Sequence, residues 1–195
     1  MRVLLATRNA GKVDELRQIL AEAAPHVELV GLDAVEEYPE TPETELTFAG
    51  NALLKARDGV KHTGLATIAD DSGLAVDALN GMPGVLSARW AGSTNKDDAA
   101  NNALLLDQLA DVPDGLRSAQ FVCAAAIVRP DGRELVVHGE MPGRVIREPK
   151  GANGFGYDPL FVPDGFELTS AEISAAEKNA ISHRGKAFRE LASRI

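Results

Sequence analysis

Apolar residues in this chain fall into two rhythms. Runs of strand length, Arg2 to Ala6, Val27 to Leu32, Leu65 to Ala69, Ala119 to Val128, Arg133 to Gly139 and Leu160 to Val162, alternate with stretches where apolar side chains return every three or four positions, as one buried helix face requires. Val13, Leu16, Ile19, Leu20 and Ala23 predict a helix from about Lys12 to Ala24, stopped before Pro25. Thr47 is placed to cap a second helix that starts at Phe48 and ends near Gly64. Thr94 with Asp97 resembles a capping box for a third, running through about Ala110 with Leu104, Leu105, Leu106 and Leu109 on its apolar side. The polar face of that helix, with Lys96, Asp98, Asn101, Asn102 and Gln108, reads as solvated. Thr169 with Glu172 and Ser174 with Glu177 are further capping signals, and Ala187, Phe188, Leu191 and Ile195 give a last helix its core face. Between these elements, Glu36 to Glu45 reads as an acidic loop, Asn80 to Gly84 as a turn, Arg129-Pro130-Asp131-Gly132 as a hairpin turn, and Met141 to Asn153 as loop.

One strand reading carries an anomaly. The run Leu65 to Ala69 stops at Asp70, Asp71, Ser72 and Gly73, and two adjacent carboxylates at the end of a buried strand are costly to desolvate without positive charge opposite them. A divalent cation is one natural partner, and Mg²⁺ suits it because that ion takes one or two protein carboxylates and fills its shell with water and phosphate oxygens. An ordinary strand-to-turn transition is the other reading, since Asp, Ser and Gly are common turn formers.

The first strand leads directly into Thr7-Arg8-Asn9-Ala10-Gly11-Lys12 and then a helix. Strand, polar loop and helix start present free backbone N–H groups and the positive end of a helix dipole, which together favour a phosphate, with Lys12 adding a mobile charge. This is not a Walker A loop, which needs Gly where Ala6 stands and Ser or Thr where Val13 stands. Lys55 is either a solvated helix charge or, if its helix packs beside the strand ending at Asp71, a second cation turned toward the same carboxylates. Gly154 and Gly156 flank Phe155 in G-F-G-Y-D-P, leaving a ring uncovered by its sequence neighbours and suited to stack on a base. Lys178, His183, Arg184 and Lys186 cluster within nine residues near the C-terminal end.

Composition narrows the classes of function. A length of 195 residues suits one well-buried domain, possibly with two lobes. The net charge of −9 argues against a general nucleic-acid or membrane-surface binder, because both targets are polyanions, but leaves room for a small anionic substrate in a locally basic site. A lone cysteine, Cys123, in an apolar run excludes an internal disulfide and fits a reducing cytoplasm. The first residues contain too short an apolar stretch for a signal peptide, and no window reaches the length of a membrane span.

Taken together and in order, T-R-N-A-G-K at 7–12, T-F-A-G-N-A-L-L-K-A at 47–56, A-D-D-S-G-L-A-V-D at 69–77, G-F-G-Y-D-P at 154–159 and E-K-N-A-I-S-H-R-G-K-A at 177–187 resemble the Ham1-like inosine/xanthosine triphosphate pyrophosphatases across nearly the whole chain. The resemblance implies an α/β fold with a long mixed central sheet, flanking helices and two lobes around an active-site cleft, as one domain over 1–195, usually assembled as a homodimer. It also implies Mg²⁺-dependent hydrolysis of ITP, dITP and XTP to the monophosphate and pyrophosphate, with Mn²⁺ as a possible substitute. Carried onto this chain, Thr7, Arg8, Asn9, Ala10, Gly11 and Lys12 would hold the triphosphate. Asp71 would be the catalytic carboxylate and a metal ligand, Glu43 a second metal ligand, and Ser72 a substrate contact. Phe155, Gly156, Tyr157 and Asp158 would line the base site, and Lys178, His183 and Arg184 would contact base or phosphates. Where many members carry Glu, this chain has Gly50, so any contact of that Glu falls here to Glu43, Glu45 or solvent.

The expected chemistry is attack of water on the α-phosphorus, with Lys12 and Lys55 neutralising developing charge and Asp71, or its neighbour Asp70, taking the proton. Donors aimed at the purine 6-position, from the His183-Arg184 pair or backbone N–H groups near Phe155, would accept a carbonyl there and reject an amino group. Three rivals are a Maf-like pyrophosphatase acting on other nucleotides, a kinase or P-loop NTPase, and a non-catalytic nucleotide-binding module.

Overall fold

The structure, a computed structural model, describes residues 1–92 and 97–195. In chain order its main elements are β1 (Arg2–Leu5), α1 (Ala10–Ala23), β2 (Glu28–Val30), α2 (Phe48–Thr63), β3 (Ala66–Val76), α3 (Asp98–Gln108), β4 (Ser118–Val128), β5 (Glu134–Val145), β6 (Phe161–Pro163), α4 (Ala175–Ile181) and α5 (His183–Ala192). The strands form a six-stranded mixed sheet in the order β2-β1-β3-β4-β5-β6. β1 is parallel to both β2 and β3, whereas β6 is antiparallel to β5. The expected α/β class, with a mixed central sheet and flanking helices, is what the chain adopts.

The chain divides into two compact units. The first comprises residues 1–71, 123–139 and 183–195. Alternate residues of β1 point to opposite faces of the sheet: Val3 and Leu5 join a core with Leu16, Ile19, Leu20, Phe188 and Leu191, and Leu4 and Ala6 join a second core with Ala52 and Ala56. Helices α1 and α5 thus cover one face and α2 the other. The second unit comprises residues 72–122 and 140–182, and its core gathers Leu74, Val76, Leu105, Leu109, Phe121, Met141, Tyr157 and Phe161.

Several boundaries differ from the sequence reading. β3 does not stop at Asp70 but continues through both aspartates to Val76, because cations from distant parts of the chain compensate the buried charge there. β5 runs on through the expected loop to Val145, with Met141, Gly143 and Val145 buried and Pro142 and Arg144 exposed. That alternation is a strand signal hidden by a Gly. α1 starts at Ala10, capped by Asn9, whose side chain accepts from the Lys12 N–H at 3.3 Å. α3 is capped by Asp97, while Thr94 and Lys96 lie outside the described residues. The C-terminal helical region is two helices broken at Ser182, whose backbone is extended.

Candidate functional site

In the first unit, parallel pairing of β1 and β3 brings the loop 7–12 beside the aspartates. The Ala6 N–H donates to Ile68 O at 2.8 Å, and Lys12, at the start of α1, donates from Nζ to Asp70 Oδ2 at 2.8 Å. Arg184 Nε lies 3.9 Å from the same oxygen. It is delivered by the first turn of α5, where β5 passes so close that a Cβ on Gly139 would sit 2.1 Å from His183 O. The Asp70 side chain is 1% exposed. Burial by itself would raise its pKa, but Lys12, then Arg184 and Lys55, outweigh burial and hold the carboxyl well below the usual carboxylate range.

Asp71 has the opposite setting. Its carboxylate accepts from Asn51 Nδ2 at 3.0 Å, and Oδ1 lies 3.8 Å from Lys55 Nζ. Here burial dominates and, with repulsion from Glu43, raises the pKa despite Lys55. Lys55 also donates to Glu43 Oε1 at 3.0 Å. Burial pushes the Lys55 pKa down, yet Asp70, Asp71 and Glu43 together raise it above its ordinary value, so the ammonium stays charged. Lys55 is therefore a participant in the acidic cluster rather than a solvated helix charge. Asn51, fully buried in α2, also accepts from the Glu45 N–H at 2.9 Å, tying the acidic segment to Asp71. Sequence reasoning gave Asn51 no role. The stem of Glu45 fills the space beside Gly50, where a Cβ would come within 2.7 Å of Glu45 Cβ.

These settings give a sign for pH. A group whose pKa is depressed on folding stabilises the fold above its unfolded value, about 4 for Asp. Asp70 thus contributes stability at neutral pH that is lost as pH falls below about 4. Urea midpoints measured from pH 7 down to pH 3 are expected to fall less steeply in Asp70→Asn than in the unaltered protein; identical slopes would contradict the assignment.

Arg8 is turned onto Tyr38: its guanidinium donates to Tyr38 O at 2.5 Å and lies 5.7 Å from the ring centroid. That ring stacks on His62 at 4.8 Å, so the phosphate-type loop, the acidic segment and α2 are pinned at one aromatic residue that the sequence did not single out.

In the second unit, Asp158 Oδ2 accepts from the Phe155 N–H at 2.9 Å and from Lys178 Nζ at 2.5 Å, and that ammonium lies 5.3 Å from the Phe155 ring centroid. Gly154 and Gly156 both have left-handed φ, and a Cβ on Gly154 would meet Asp158 Oδ2 at 2.1 Å. Tyr157 donates its hydroxyl to Ser87 O at 2.7 Å, and burial, helped by Asp98, keeps that phenol protonated. The polar face of α3 is not simply solvated: Asp98 and Asn102 both bond Gly156. Because the N–H groups of Phe155 and Gly156 are taken by Asp158 and Asp98, they are not the donors expected for a base. Ser72 follows Asp71 in β3 and is partly buried, while His183 is buried at the start of α5.

The sequence profile of the Ham1 family matches residues 3–194. The chain belongs to the Ham1 family. A dITP/XTP pyrophosphatase of Nocardia farcinica is 63% identical to this Ham1 chain over 191 residues, covering 97% of it and 92% of the relative. One from Streptomyces coelicolor is 57% identical over 190 residues, 97% of this chain and 94% of the relative. Among solved structures, the nucleoside-triphosphatase / dITP/XTP pyrophosphatase of Mycobacterium abscessus superposes with a TM-score of 0.81 at 58% identity, covering 98% of this chain and 97% of that one. The Staphylococcus aureus Ham1 protein does so with a TM-score of 0.89 at 38% identity, covering 100% and 97%.

The donor set of this Ham1 chain suits a hard divalent cation. Glu43 and Asp71 converge on one positive charge, the Lys55 ammonium. Among the described residues no group of three or more His, Cys, Asp or Glu side chains is arranged to hold a metal. A divalent ion here would take two carboxylates and complete its shell from water and phosphate. Among the described residues no helix is long and apolar enough to cross a membrane.

Proposed function

We propose that this chain is a nucleoside triphosphate pyrophosphatase that clears the aberrant purine nucleotides ITP, dITP and XTP by hydrolysis to monophosphate and pyrophosphate. The observation that carries the reading is the split between neighbouring aspartates. Asp70 is locked in an ion pair with Lys12 and Arg184, whereas Asp71 has a raised pKa beside Lys55 and Glu43. Asp70 is already neutralised by two cations, whereas Asp71 shares the Lys55 ammonium with Glu43 and keeps capacity for a proton, so Asp71 is assigned the role of base and Asp70 that of structural counter-charge. Relatives of nearly the same length, named dITP/XTP pyrophosphatases, support the substrate class.

Glu43 and Asp71 would hold Mg²⁺, or Mn²⁺ in its place, which when bound neutralises phosphate charge. Thr7 to Lys12 bind the triphosphate through backbone N–H groups and the α1 dipole. Asp71 accepts the proton of the attacking water as its oxygen bonds to the α-phosphorus. The bond from that phosphorus to the bridging oxygen breaks, and pyrophosphate leaves with the electron pair, stabilised by Lys12 and Lys55. Phe155 stacks on the base, with Tyr157 and Asp158 holding its turn. Lys178 and the His183-Arg184 pair are the donors assigned to a 6-carbonyl. Ser72 is assigned a substrate contact next to the base Asp71. The proposed assembly is a homodimer in the cytoplasm.

A panel of nucleoside triphosphates with Mg²⁺, scored for pyrophosphate against orthophosphate, tests this. Pyrophosphate release from dITP and XTP is expected to exceed that from dATP by about 100-fold in kcat/KM, the scale set by unpaired donors opposing an amino group. Orthophosphate as the product, or equal use of dATP, would sink the proposal.

A further inference from the structure

We propose that Asp98 and Asn102 of α3 are positioning residues that set base specificity by holding the turn under Phe155, an inference that rests on the functional reading above. The two lie four residues apart, hence on one helix face. Asp98 Oδ2 accepts from the Gly156 N–H at 2.7 Å, and Asn102 Nδ2 donates to Gly156 O at 3.0 Å. Both polar groups of one residue are thus taken from the same side, as a neighbouring strand would take them. Gly156 has φ +62°, and a Cβ there would meet nothing within 4 Å. Glycine is therefore required by backbone conformation rather than crowding, and the two bonds from α3 hold that conformation.

The remaining bonds show what is being held. The Phe155 N–H is held by Asp158 and the Tyr157 hydroxyl by Ser87 O, so the Gly156 clamp lies between two other tethers of the same turn. The arrangement has a cost. Among the described residues Asn102 Oδ1 is buried with no hydrogen-bond partner, and an unmet buried acceptor weighs against stability. An amide that spends its donor on Gly156 while leaving its acceptor unmet is placed for the turn, not for the fold.

The test measures dITP and dATP hydrolysis, with competitive inhibition by inorganic pyrophosphate as a probe of the phosphate site alone. In Asn102→Ala, KM for dITP is expected to rise about tenfold with kcat within about twofold, the size of one lost hydrogen bond acting on binding. The preference for dITP over dATP should shrink, and inhibition by pyrophosphate should stay unchanged. Asn102→Asp, nearly the same shape but with an acceptor facing Gly156 O, should behave alike. Asp98→Asn keeps an acceptor for the Gly156 N–H and should restore most of what Asp98→Ala loses. Unchanged KM and preference in these variants, or pyrophosphate inhibition weakening in step with KM, would overturn the positioning role. Failure of the unaltered protein to release pyrophosphate from dITP or XTP would instead overturn the functional reading.

Discussion

Asp71→Asn is expected to lower kcat/KM for dITP by about 1,000-fold or more while leaving the thermal midpoint of the metal-free protein unchanged or higher. The amide keeps an oxygen to accept from Asn51 Nδ2 and removes a buried negative charge that Glu43 repels. Because folding raises the pKa of Asp71, its favourable contribution is complete below the unfolded carboxylate value and is lost as pH rises. The variant should therefore gain on the unaltered protein between about pH 4 and pH 7, the window above the unfolded Asp value. Activity within tenfold of the unaltered enzyme, or a large fall in midpoint, would remove Asp71 from the role of base.

Asp70→Ala is expected to do the reverse damage. Lys12 and Arg184 would lose the carboxylate between them, and stripping one partner from a buried ion pair costs about 3–5 kcal/mol. Urea unfolding should show this as a lower midpoint at unchanged slope. Activity should fall too, since Lys12 is aimed by that bond. A loss under about 1 kcal/mol, the scale of an exposed pair, would mean that the pair is screened and Asp70 is not the counter-charge.

These two residues mark how far the sequence could be read. The local pattern showed that D-D was out of place in an apolar run, and motif order pointed to loop 7–12, Lys55, Phe155 and Lys178. It could not divide the roles of Asp70 and Asp71, because the division is made by residues 15 to more than 100 positions away: Lys12, Lys55, Asn51 and Arg184. The same long-range compensation explains why β3 continues past its apparent end. In β5 the signal was local but disguised, since Gly143 read as a breaker although exposure alternates from Met141 to Val145 as in any half-buried strand. Asp98 and Asn102 looked like solvent-facing polar residues because helical spacing reports which side chains share a face, and says nothing of what that face meets.

Gly139 shows where a distant change would act on the ion-paired aspartate. Strand and helix backbones touch at that point, with only a hydrogen between them. A methyl group there would be a wedge against the opening turn of α5, the turn that carries Arg184 toward Asp70, so the acid cluster can be reached through the main chain alone.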